Sequence, residues 1–480
     1  MADKQLWQQR LKTAVSRSLS VRTFAAFNTN IDSVVHLTPD NIARAIAMSG
    51  IRPDEIPERT CEQLPNAIST PQEFLMIIKT QLAAGKSCYT VVEGDLLQWI
   101  NAVFTDAKQS MGGQAGIIAN QLAALGATSI AYTRLLTPLQ AQMFDERVLV
   151  PTAENDTLDL IPVREAARPD DHVKVNWIFE YAKGVQFQFG EQTVTTPRAN
   201  RVIAATRPKG AIMAFDPAFD TLLADLGECC DTAFMAGYHY ATPTDNGGRD
   251  FASYLAYTKH SLRELRRNNP SLLIHYEYVP VKYESLEAEL LRGIGEVSNS
   301  FGINENEIKR ALRTLEHGEL ADTIDRDEQA FTLYQGGLTL LHELQVERVH
   351  VHNLGYYVIV LRKPYGISMD EAVGASLYAS AVNAMKAKYG NFPGVDLLPE
   401  AGEMMLSDIG FAQVDLFAEH VKDSGRQLAE GIWEFVDHYA LVVPAHVVPN
   451  PISTVGMGDT ISSSSYAMET EVAKVTAMTR

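Results

Sequence analysis

Short β-rich runs and helical stretches alternate along most of this chain of 480 residues. Such alternation is typical of a largely parallel sheet covered by helices on both faces, because parallel strands are joined by crossover connections. Candidate strands in the second half are Gly210–Phe215, Thr232–Ala236, Leu272–Glu277, Arg348–Asn353, Tyr356–Leu361 and Tyr439–Pro444. Candidate helices are Asp250–Asn268, Tyr283–Leu291, Glu305–Glu316, Asp327–Leu344 and Glu371–Lys388. We therefore predict an α/β fold, a doubly wound sheet flanked by helices.

The segment Val173–Val202 breaks this alternation. Three short β-rich runs follow one another there without helices between them, at Val175–Tyr181, Gln186–Gly190 and Gln192–Thr195. Because the pattern differs from the βα units on either side, we interpret it as part of a second, smaller domain inserted into the first.

The charge balance restricts the partners of the chain. Lys and Arg number 41 against 59 Asp and Glu, which gives a formal net charge of −18. A surface this acidic repels phosphate backbones, so we expect neither nucleic acid nor a membrane as a partner. Four cysteines do not make a disulfide framework, and no apolar run approaches the length of about 18 residues that spans a bilayer. We expect a cytoplasmic protein.

Residues 450–465 form the most unusual passage of the sequence. Gly456 and Gly458 flank Met457, Asp459 follows at once, and the small residues after it can begin a helix. Glycines let consecutive backbone N–H groups face one oxyanion, and the positive end of a helix strengthens that site. Asp459 beside such a hole can accept a proton from a substrate hydroxyl while a phosphoryl group occupies the hole. The alternative is a Gly-rich turn in which Asp459 caps the helix.

Two further segments place polar groups at predicted strand-to-helix corners. Asn30 and Asp32 follow the candidate strand Val21–Asn28, at the edge of a parallel sheet where ligands bind. Asp32 can hold sugar hydroxyls there, or it is a capping or turn residue. Gly113 and Gln114, at another helix start, let backbone and side chain approach a polyol closely. Three such corners on one sheet favour a ligand site over three unrelated turns.

The segments Asn28–Asp32, Gly112–Gly116 and Thr454–Thr460 resemble those of the ADP-dependent sugar kinases of archaea. These glucokinases and phosphofructokinases are a branch of the ribokinase-like superfamily, and the similarity runs in the same order over nearly the whole chain. It implies a ribokinase-like doubly wound sheet with a smaller α+β lid that closes over the sugar. We expect a large nucleotide-binding domain of residues 1–32, 112–171 and 206–480, and a discontinuous lid domain of residues 33–111 and 172–205.

The resemblance also implies roles for three acidic residues. Asp459 matches the catalytic base of the family, with the backbone of residues 456–458 holding the transferred group. Glu277 ends an H-x-E motif and Glu307 ends an N-x-x-E motif, both of which match metal motifs of the family. We expect Glu277, Glu307 and Asp459 to bind Mg²⁺, partly through water, because this hard cation prefers oxygen ligands. Without the resemblance, Glu277 is a solvated acid at a strand end and Glu307 a first-turn acid.

Three further positions match the nucleotide site of the family. Arg201 corresponds to an arginine that reaches the nucleotide phosphates from the lid, where its planar fork can neutralise phosphoryl oxygens. His352 and Val448 match positions near the adenine. The resemblance thus implies ADP as the phosphoryl donor. Taken alone, Arg201 is a surface residue and His352 is equally a core histidine.

Departures from the glucose-phosphorylating members point to the acceptor sugar. Tyr89 stands where they have a sugar-binding Glu, and Asn176 stands where they have a His. A site without these hydrogen-bond partners loses preference for glucose. Lys174, Lys183 and Arg198 are available to hold a phosphate instead. We therefore expect fructose 6-phosphate as acceptor, and use of glucose stays open because Glu93 can supply a substitute carboxylate.

The expected activity is transfer of the β-phosphoryl group of ADP to the 1-hydroxyl of fructose 6-phosphate, as in a modified glycolysis. The products would be fructose 1,6-bisphosphate and AMP. The alternatives are an ADP-dependent glucokinase or bifunctional kinase, an ATP-using sugar kinase, and a nucleotide or sugar sensor without catalysis. A pure binding protein has no need of a base beside an anion hole, which argues against the sensor, although fold alone does not fix function.

Overall fold

A computed structural model describes residues 2–478, so residues 1, 479 and 480 of the predicted large domain lie outside it. Its helices are α1 Lys4–Val15, α2 Pro39–Ser49, α3 Pro71–Ala84, α4 Leu96–Val103, α5 Gln114–Ala124, α6 Pro138–Ala141, α7 Leu223–Glu228, α8 Phe251–Arg266, α9 Glu284–Gly295, α10 Glu305–Thr314, α11 Gly318–Arg326, α12 Ala330–Glu343, α13 Met369–Tyr389, α14 Leu398–Glu403, α15 Asp408–Val421 and α16 Met457–Met478. Within the described residues, none of these is both long and apolar enough to cross a bilayer.

The strands belong to two large sheets and one small hairpin. Their bounds are β1 Arg22–Phe27, β2 Asn30–His36, β3 Ala67–Ile68, β4 Cys88–Val92, β5 Lys108–Gly112, β6 Thr128–Tyr132, β7 Leu149–Glu154, β8 Thr157–Pro162, β9 Val175–Tyr181, β10 Gln186–Phe189, β11 Gln192–Thr195, β12 Asn200–Thr206, β13 Thr232–Ala236, β14 Leu273–Glu277, β15 Ser300–Asn304, β16 Arg348–Asn353, β17 Tyr356–Arg362, β18 Arg426–Ala429, β19 Ile432–Glu434 and β20 His438–Pro444.

The main sheet has 12 strands in the order β18-β19-β20-β17-β16-β15-β14-β13-β1-β6-β7-β8. The stretch from β16 to β7 is parallel throughout. Antiparallel strands extend the sheet at both edges. Every residue of the central strand β13 is buried, which is the pattern of a strand covered by helices on both faces.

The smaller sheet has six strands in the order β3-β4-β12-β9-β2-β5, and β10 and β11 form a separate hairpin. It has its own hydrophobic core, in which the ring of Phe179 lies edge-on to Phe74 at 5.0 Å and to Phe104 at 4.8 Å. The helices α2, α3 and α4 contribute to this core, so the smaller sheet with its helices is an α+β unit.

The chain passes between the two sheets through short connections. β1 of the main sheet ends at Phe27 and β2 of the smaller sheet begins at Asn30, so only two residues separate them. Gly113 alone separates β5 of the smaller sheet from α5, which packs on β1. Lys174 directly precedes β9 and Arg207 directly follows β12. Residues in these connections therefore lie where the two sheets meet.

The predicted alternation of strands and helices is confirmed, although several elements differ from the prediction. The predicted strand Gly210–Phe215 is wrong, because this segment is irregular and Gly210 adopts a positive φ of 91°. β15 and the hairpin of β7 and β8 were not predicted. The domain boundaries stay a prediction; the smaller sheet extends slightly beyond them, to Asn30, Gly112 and Thr206.

Candidate active site

The candidate site lies at the carboxyl edge of the parallel strands. β1, β13, β14, β15 and β16 run side by side in one direction, so the residues that end or follow them meet at the same edge. Glu277 ends β14, Asn304 ends β15 and His352 lies next to the end of β16. The start of α16 lies against this edge, since a Cβ atom on Gly458 would come within 2.7 Å of His352 Nε2.

The start of α16 has main-chain donors without backbone acceptors. The first helical hydrogen bond recorded there runs from the Thr460 N–H to the Gly456 carbonyl, at 3.1 Å. Within residues 2–478, the preceding N–H groups of Met457, Gly458 and Asp459 have no backbone acceptor. Gly456 has a φ of 65°, a left-handed conformation that side chains disfavour. Free N–H groups at the positive end of a helix form an anion site.

Asp459 lies in the first turn of α16, beside these donors. A Cβ atom on Gly456 would lie 3.3 Å from Asp459 Oδ2, so the carboxylate faces the glycine loop. Burial and the negative charge of Glu277 raise the pKa of Asp459, and the ammonium of Lys386 acts in the opposite direction. A carboxyl group with raised proton affinity beside an anion site suits proton transfer from a substrate.

Glu277 is held in place by a buried histidine. Glu277 Oε2 lies 2.8 Å from His275 Nε2, and His275 Nδ1 lies 2.8 Å from Ser300 Oγ. Gln114 Nε2 donates to the Glu277 carbonyl at 3.2 Å, which ties the start of α5 to the end of β14. Burial raises the pKa of Glu277. In this H-x-E motif the histidine therefore positions the carboxylate.

Glu307 caps a helix and also carries charge toward the site. It forms a capping box with Asn304, whose N–H donates to Glu307 Oε2 at 3.1 Å. Burial raises the pKa of Glu307 to about 8, and the charges of Glu277 and Asp459 act in the same direction. Glu307 is therefore a first-turn acid that also interacts with the charges of Glu277 and Asp459, and its role as a metal ligand stays a prediction.

The carboxylates of Glu277, Glu307 and Asp459 fit a hard cation, because they are buried and the charge of Glu277 raises the pKa values of the other two. Within residues 2–478, no three His, Cys, Asp or Glu side chains lie close enough together to ligate one ion. Mg²⁺ does not need such a cage, since one or two carboxylates, several waters and phosphate oxygens usually hold it. The donor set therefore fits Mg²⁺ bound through few protein ligands.

Asn30, Asp32 and Asn176 form a cluster on the smaller sheet. Asp32 of β2 lies opposite Asn176 of β9, and the side-chain amides of Asn30 and Asn176 donate to Asp32 Oδ1 at 2.6 and 3.3 Å. Burial raises the pKa of Asp32 to about 6. Within the described residues, the buried Oδ1 atoms of Asn30 and Asn176 have no partner. These oxygens are free to accept hydrogen bonds from the hydroxyls of a ligand.

Gly113 and Gln114 bring the start of α5 to the same cluster. Gly113 has a φ of 76°, and a Cβ atom there would lie 2.5 Å from the Asn28 carbonyl and 2.9 Å from Asn30 Oδ1. Gln114 is buried, and its Oε1 has no partner in the part of the chain described. The predicted polyol-binding residues are therefore brought together.

Two cations lie at the connections between the sheets. Lys174 is 2% exposed, and its Nζ donates to Asn28 Oδ1 at 2.8 Å. Burial lowers the pKa of Lys174 to about 7. Arg207 lies over the ring of Tyr240, 4.1 Å from its centroid, and 5.2 Å from that of Tyr89. Within residues 2–478, the buried Arg207 Nη2 has no hydrogen-bond partner.

Arg207 and Tyr240 are not among the site residues predicted from the sequence. In the structure both line a cavity of about 920 Å³ together with Tyr89. An arginine at a strand end before a proline carries no signal by itself. The importance of Arg207 becomes visible only in the fold, because the connections between the sheets bring Lys174 and Arg207 to the same aromatic ring. Lys174 lies 5.5 Å from the centroid of the Tyr240 ring.

The remaining predicted residues have different surroundings. Arg201 is exposed on β12, and its positive charge opposes the burial that raises the pKa of Asp32. Arg198 Nε donates to the Gly85 carbonyl at 2.6 Å and thus ties two loops of the smaller sheet together. Val448 packs partly buried against the main core, between β20 and α16.

A sequence model of the ADP-specific phosphofructokinase/glucokinase conserved region matches residues 21–468. The match spans both sheets and the start of α16. The chain belongs to this family. The predicted resemblance is therefore confirmed.

Relatives in the family are similar over nearly the whole length. The ADP-specific phosphofructokinase of Methanosarcina acetivorans is 31% identical over 460 residues, and 92% of each chain is covered. That of Pyrococcus furiosus is 30% identical over 446 residues, with 92% of this chain and 95% of the relative covered. A solved ADP-dependent kinase in complex with fructose-6-phosphate and ADPβS is 29% identical and has a TM-score of 0.82, with 98% of this chain and 100% of that chain covered. This likeness confirms the predicted fold class.

Proposed function

We propose that this chain transfers the β-phosphoryl group of ADP to the 1-hydroxyl of fructose 6-phosphate, yielding fructose 1,6-bisphosphate and AMP. The observation that carries this proposal is the carboxylate of Asp459 next to the unpartnered N–H groups at the start of α16. The relatives named as ADP-specific phosphofructokinases, and the related kinase solved with fructose-6-phosphate and ADPβS, support both substrates.

The donor lies along the carboxyl edge of the main sheet in this proposal. The N–H groups of residues 457–459 hold the transferred phosphoryl group, and Arg201 approaches its oxygens from the smaller sheet. His352 and Val448 lie near the adenine. Mg²⁺, held by Glu277 or Glu307 with water between, would supply positive charge that offsets the charge of the diphosphate.

The acceptor lies between the two sheets. Asn30, Asp32 and Asn176 hold sugar hydroxyls, and Gly113 and Gln114 approach the sugar from the start of α5. The free Oδ1 atoms of both asparagines support this placement. Because hydroxyls pair well with such buried acceptors, the cluster orients the sugar as well as binding it.

Lys174 and Arg207 are the residues we assign to the sugar phosphate. Both are cations at the connections between the sheets, and Arg207 has a nitrogen without a protein partner. A lysine point charge and a planar arginine fork together suit a phosphate dianion. Tyr89, in the position of the glutamate expected of glucose kinases, contacts Arg207 instead of offering a carboxylate to glucose. These contacts favour fructose 6-phosphate over glucose.

The reaction needs one proton acceptor and one stabilised oxyanion. Asp459 takes the proton of the 1-hydroxyl as that oxygen attacks the β-phosphorus in line. The bond from the β-phosphorus to the bridging oxygen breaks, and AMP leaves with that oxygen. The main-chain donors at the start of α16 stabilise charge on the transferred group. General-base assistance of this kind is worth about 10²–10⁴-fold.

A steady-state assay over the four donor–acceptor pairs formed from ADP, ATP, glucose and fructose 6-phosphate tests this proposal. The expected result is turnover with ADP and fructose 6-phosphate, and kcat/KM at least about tenfold lower for each other pair. Comparable turnover on glucose would establish a bifunctional kinase. Turnover with ATP alone, or with no pair, would contradict the proposal.

Substitutions of Arg207 and Arg198 test which arginine binds the sugar phosphate. We expect Arg207→Met to raise KM for fructose 6-phosphate by about 10–100-fold, because a charged hydrogen-bond partner is lost, with KM for ADP changed little. Arg198→Met is the matched control, since the Arg198 guanidinium is used on the Gly85 carbonyl. If Arg198→Met raises this KM and Arg207→Met does not, the assignment is wrong and the sequence-based choice of Arg198 is right.

A further inference from the structure

Lys386 is a buried lysine that forms no salt bridge within residues 2–478. It lies in the last turn of α13 and is 5% exposed. The contact recorded for its ammonium is with the ring of Phe392, whose centroid lies 4.1 Å from Nζ. Lys388, two residues further along the same helix, is exposed and pairs with Glu400. The two lysines therefore have opposite surroundings on one helix.

An unpaired charge in such a place is unfavourable for the free protein. Moving an ammonium out of water is unfavourable unless an opposite charge or hydrogen bonds compensate. Burial accordingly lowers the pKa of Lys386 to about 8, although the negative charge of Asp459 opposes this shift. Buried charges in proteins are usually paired, so an orphaned one indicates a partner that arrives from outside.

The helix that carries Lys386 lies against the anion site. α13 and α16 pack on each other, and the charge of Lys386 acts on Asp459 near the start of α16. About two turns earlier on α13, the pKa of Tyr378 is raised by burial and by the negative charge of Glu471 in the far half of α16. A Cβ atom on Gly390, directly after α13, would lie 2.6 Å from Ile452 Cγ2 in the loop before α16. The end of α13 therefore lies beside the start of α16.

The loop before α16 is attached at the same point. The Ile452 N–H donates to the Ala387 carbonyl at 2.8 Å, directly after Lys386. Asn383, one turn before Lys386 on α13, is also buried, and its Oδ1 has no partner in the part of the chain described. This end of α13 thus presents an unpaired ammonium and an unpaired amide oxygen beside the loop that leads to Gly456.

We infer that Lys386 binds the diphosphate of the nucleotide donor, from the α13 side of the loop before α16. This inference rests on the proposed use of ADP at that loop. The main-chain N–H groups there carry only partial charges, and the Lys386 ammonium adds a full positive charge opposite phosphoryl oxygens. Lys386 is neither part of the glycine loop nor one of the predicted nucleotide-site residues.

The test compares Lys386→Met with Lys388→Met in the full chain, using ADP with Mg²⁺ as the probe. Calorimetry gives the Kd for ADP, thermal unfolding gives Tm with and without ADP, and kinetics gives KM for both substrates. We expect Lys386→Met to weaken ADP binding by about 10–100-fold and to leave KM for fructose 6-phosphate within about twofold. Its ADP-free Tm should equal or exceed that of the wild type, because an unpaired charge is gone. Lys388→Met should match the wild type in ADP binding.

Normal ADP binding by Lys386→Met overturns the inference. A lower Tm without ADP, together with an unchanged increase in Tm when ADP is added, also overturns the inference. Lys386 would then contribute to folding and not to ADP binding. Lys386→Gln is the second variant, for the case that methionine prevents folding, and the same criteria apply to it. Absence of ADP binding by the wild type would overturn the proposed function as well, whereas the other outcomes leave that proposal standing.

Discussion

At the scale of single residues, burial shifts the pKa values of an acid and a base in the site in opposite directions. Burial raises the pKa of Asp32 to about 6 and lowers the pKa of Lys174 to about 7. Near neutral pH each group therefore carries less of its charge than it would in water. An anionic ligand restores the charge of Lys174, so binding and protonation are coupled.

This coupling predicts a pH dependence for the acceptor. Lys174 is protonated below its pKa of about 7 and neutral above it, and only the protonated form attracts a phosphate dianion. KM for fructose 6-phosphate should therefore rise above pH 7, by up to about tenfold per pH unit. Steady-state kinetics between pH 6.5 and 9 measure it, with Lys174→Arg as the control because arginine keeps its charge. An identical rise in Lys174→Arg would contradict the role given to Lys174.

Which site residues the sequence could reveal depends on their surroundings. Gly456 and Asp459, and the pair Asn30 and Asp32, lie at strand-to-helix corners, where small and polar residues stand out from apolar runs. Arg207 does not, because its importance comes from the Tyr240 ring and from an unpaired nitrogen. Such features depend on contacts between distant parts of the chain.

At the scale of elements, the start of α16 depends on backbone that only glycine adopts comfortably. Gly456 has a φ of 65°, and a Cβ atom there would lie 2.5 Å from Ile117 Cδ1. The first free N–H groups of the helix follow directly. The conformation that exposes these donors is therefore specified by a single residue.

Gly456→Ala should lower both stability and turnover. A left-handed alanine costs about 1–2 kcal/mol, and the contact with Ile117 adds to this. We expect a Tm lower by several degrees and a lower kcat, measured by thermal unfolding and steady-state assay. Gly318→Ala is the matched control, because no atom lies within 4 Å of its added Cβ. Equal behaviour of the two variants would contradict the role of this backbone conformation.

Element prediction succeeded where a segment carried its own pattern. α13 was predicted as Glu371–Lys388 and spans Met369–Tyr389. β15 was missed because Ser300–Asn304 is short and contains a glycine, and its pairing with β14 and β16 defines it as a strand. The strand predicted over Gly210–Phe215 is wrong for the opposite reason. Met213 and Phe215 are buried by packing, but the segment is not paired as a strand. Periodicity does not separate burial from strand pairing.

At the scale of the whole molecule, two sheets with separate cores are joined by short connections that carry binding residues. The polyol cluster and Arg201 lie on the smaller sheet, and the anion site lies at the edge of the main sheet. The chain changes sheets at Asn28, Gly113, Lys174 and Arg207 or directly beside them. A ligand that contacts both sheets therefore favours movement of the two sheets toward each other, as in the predicted closure of a lid.

Such closure predicts a more compact molecule when both substrates are bound. A compact chain of this length has a radius of gyration of about 23 Å. We expect fructose 6-phosphate and a slowly reacting ADP analogue together to reduce it by about 1 Å, as measured by small-angle X-ray scattering. Arg207→Met at the same ligand concentrations should show a smaller change. An unchanged radius in the wild type at saturating ligands would contradict closure.

The most direct test concerns the carboxylate beside the free main-chain amides. Turnover of ADP and fructose 6-phosphate should be compared between the wild type and Asp459→Asn, with the Kd for ADP measured on the same preparations. We expect kcat to fall by about 10²–10⁴-fold while ADP binding stays within a few-fold of the wild type. Retained turnover in Asp459→Asn would show that the proton leaves by another route and that the site works differently.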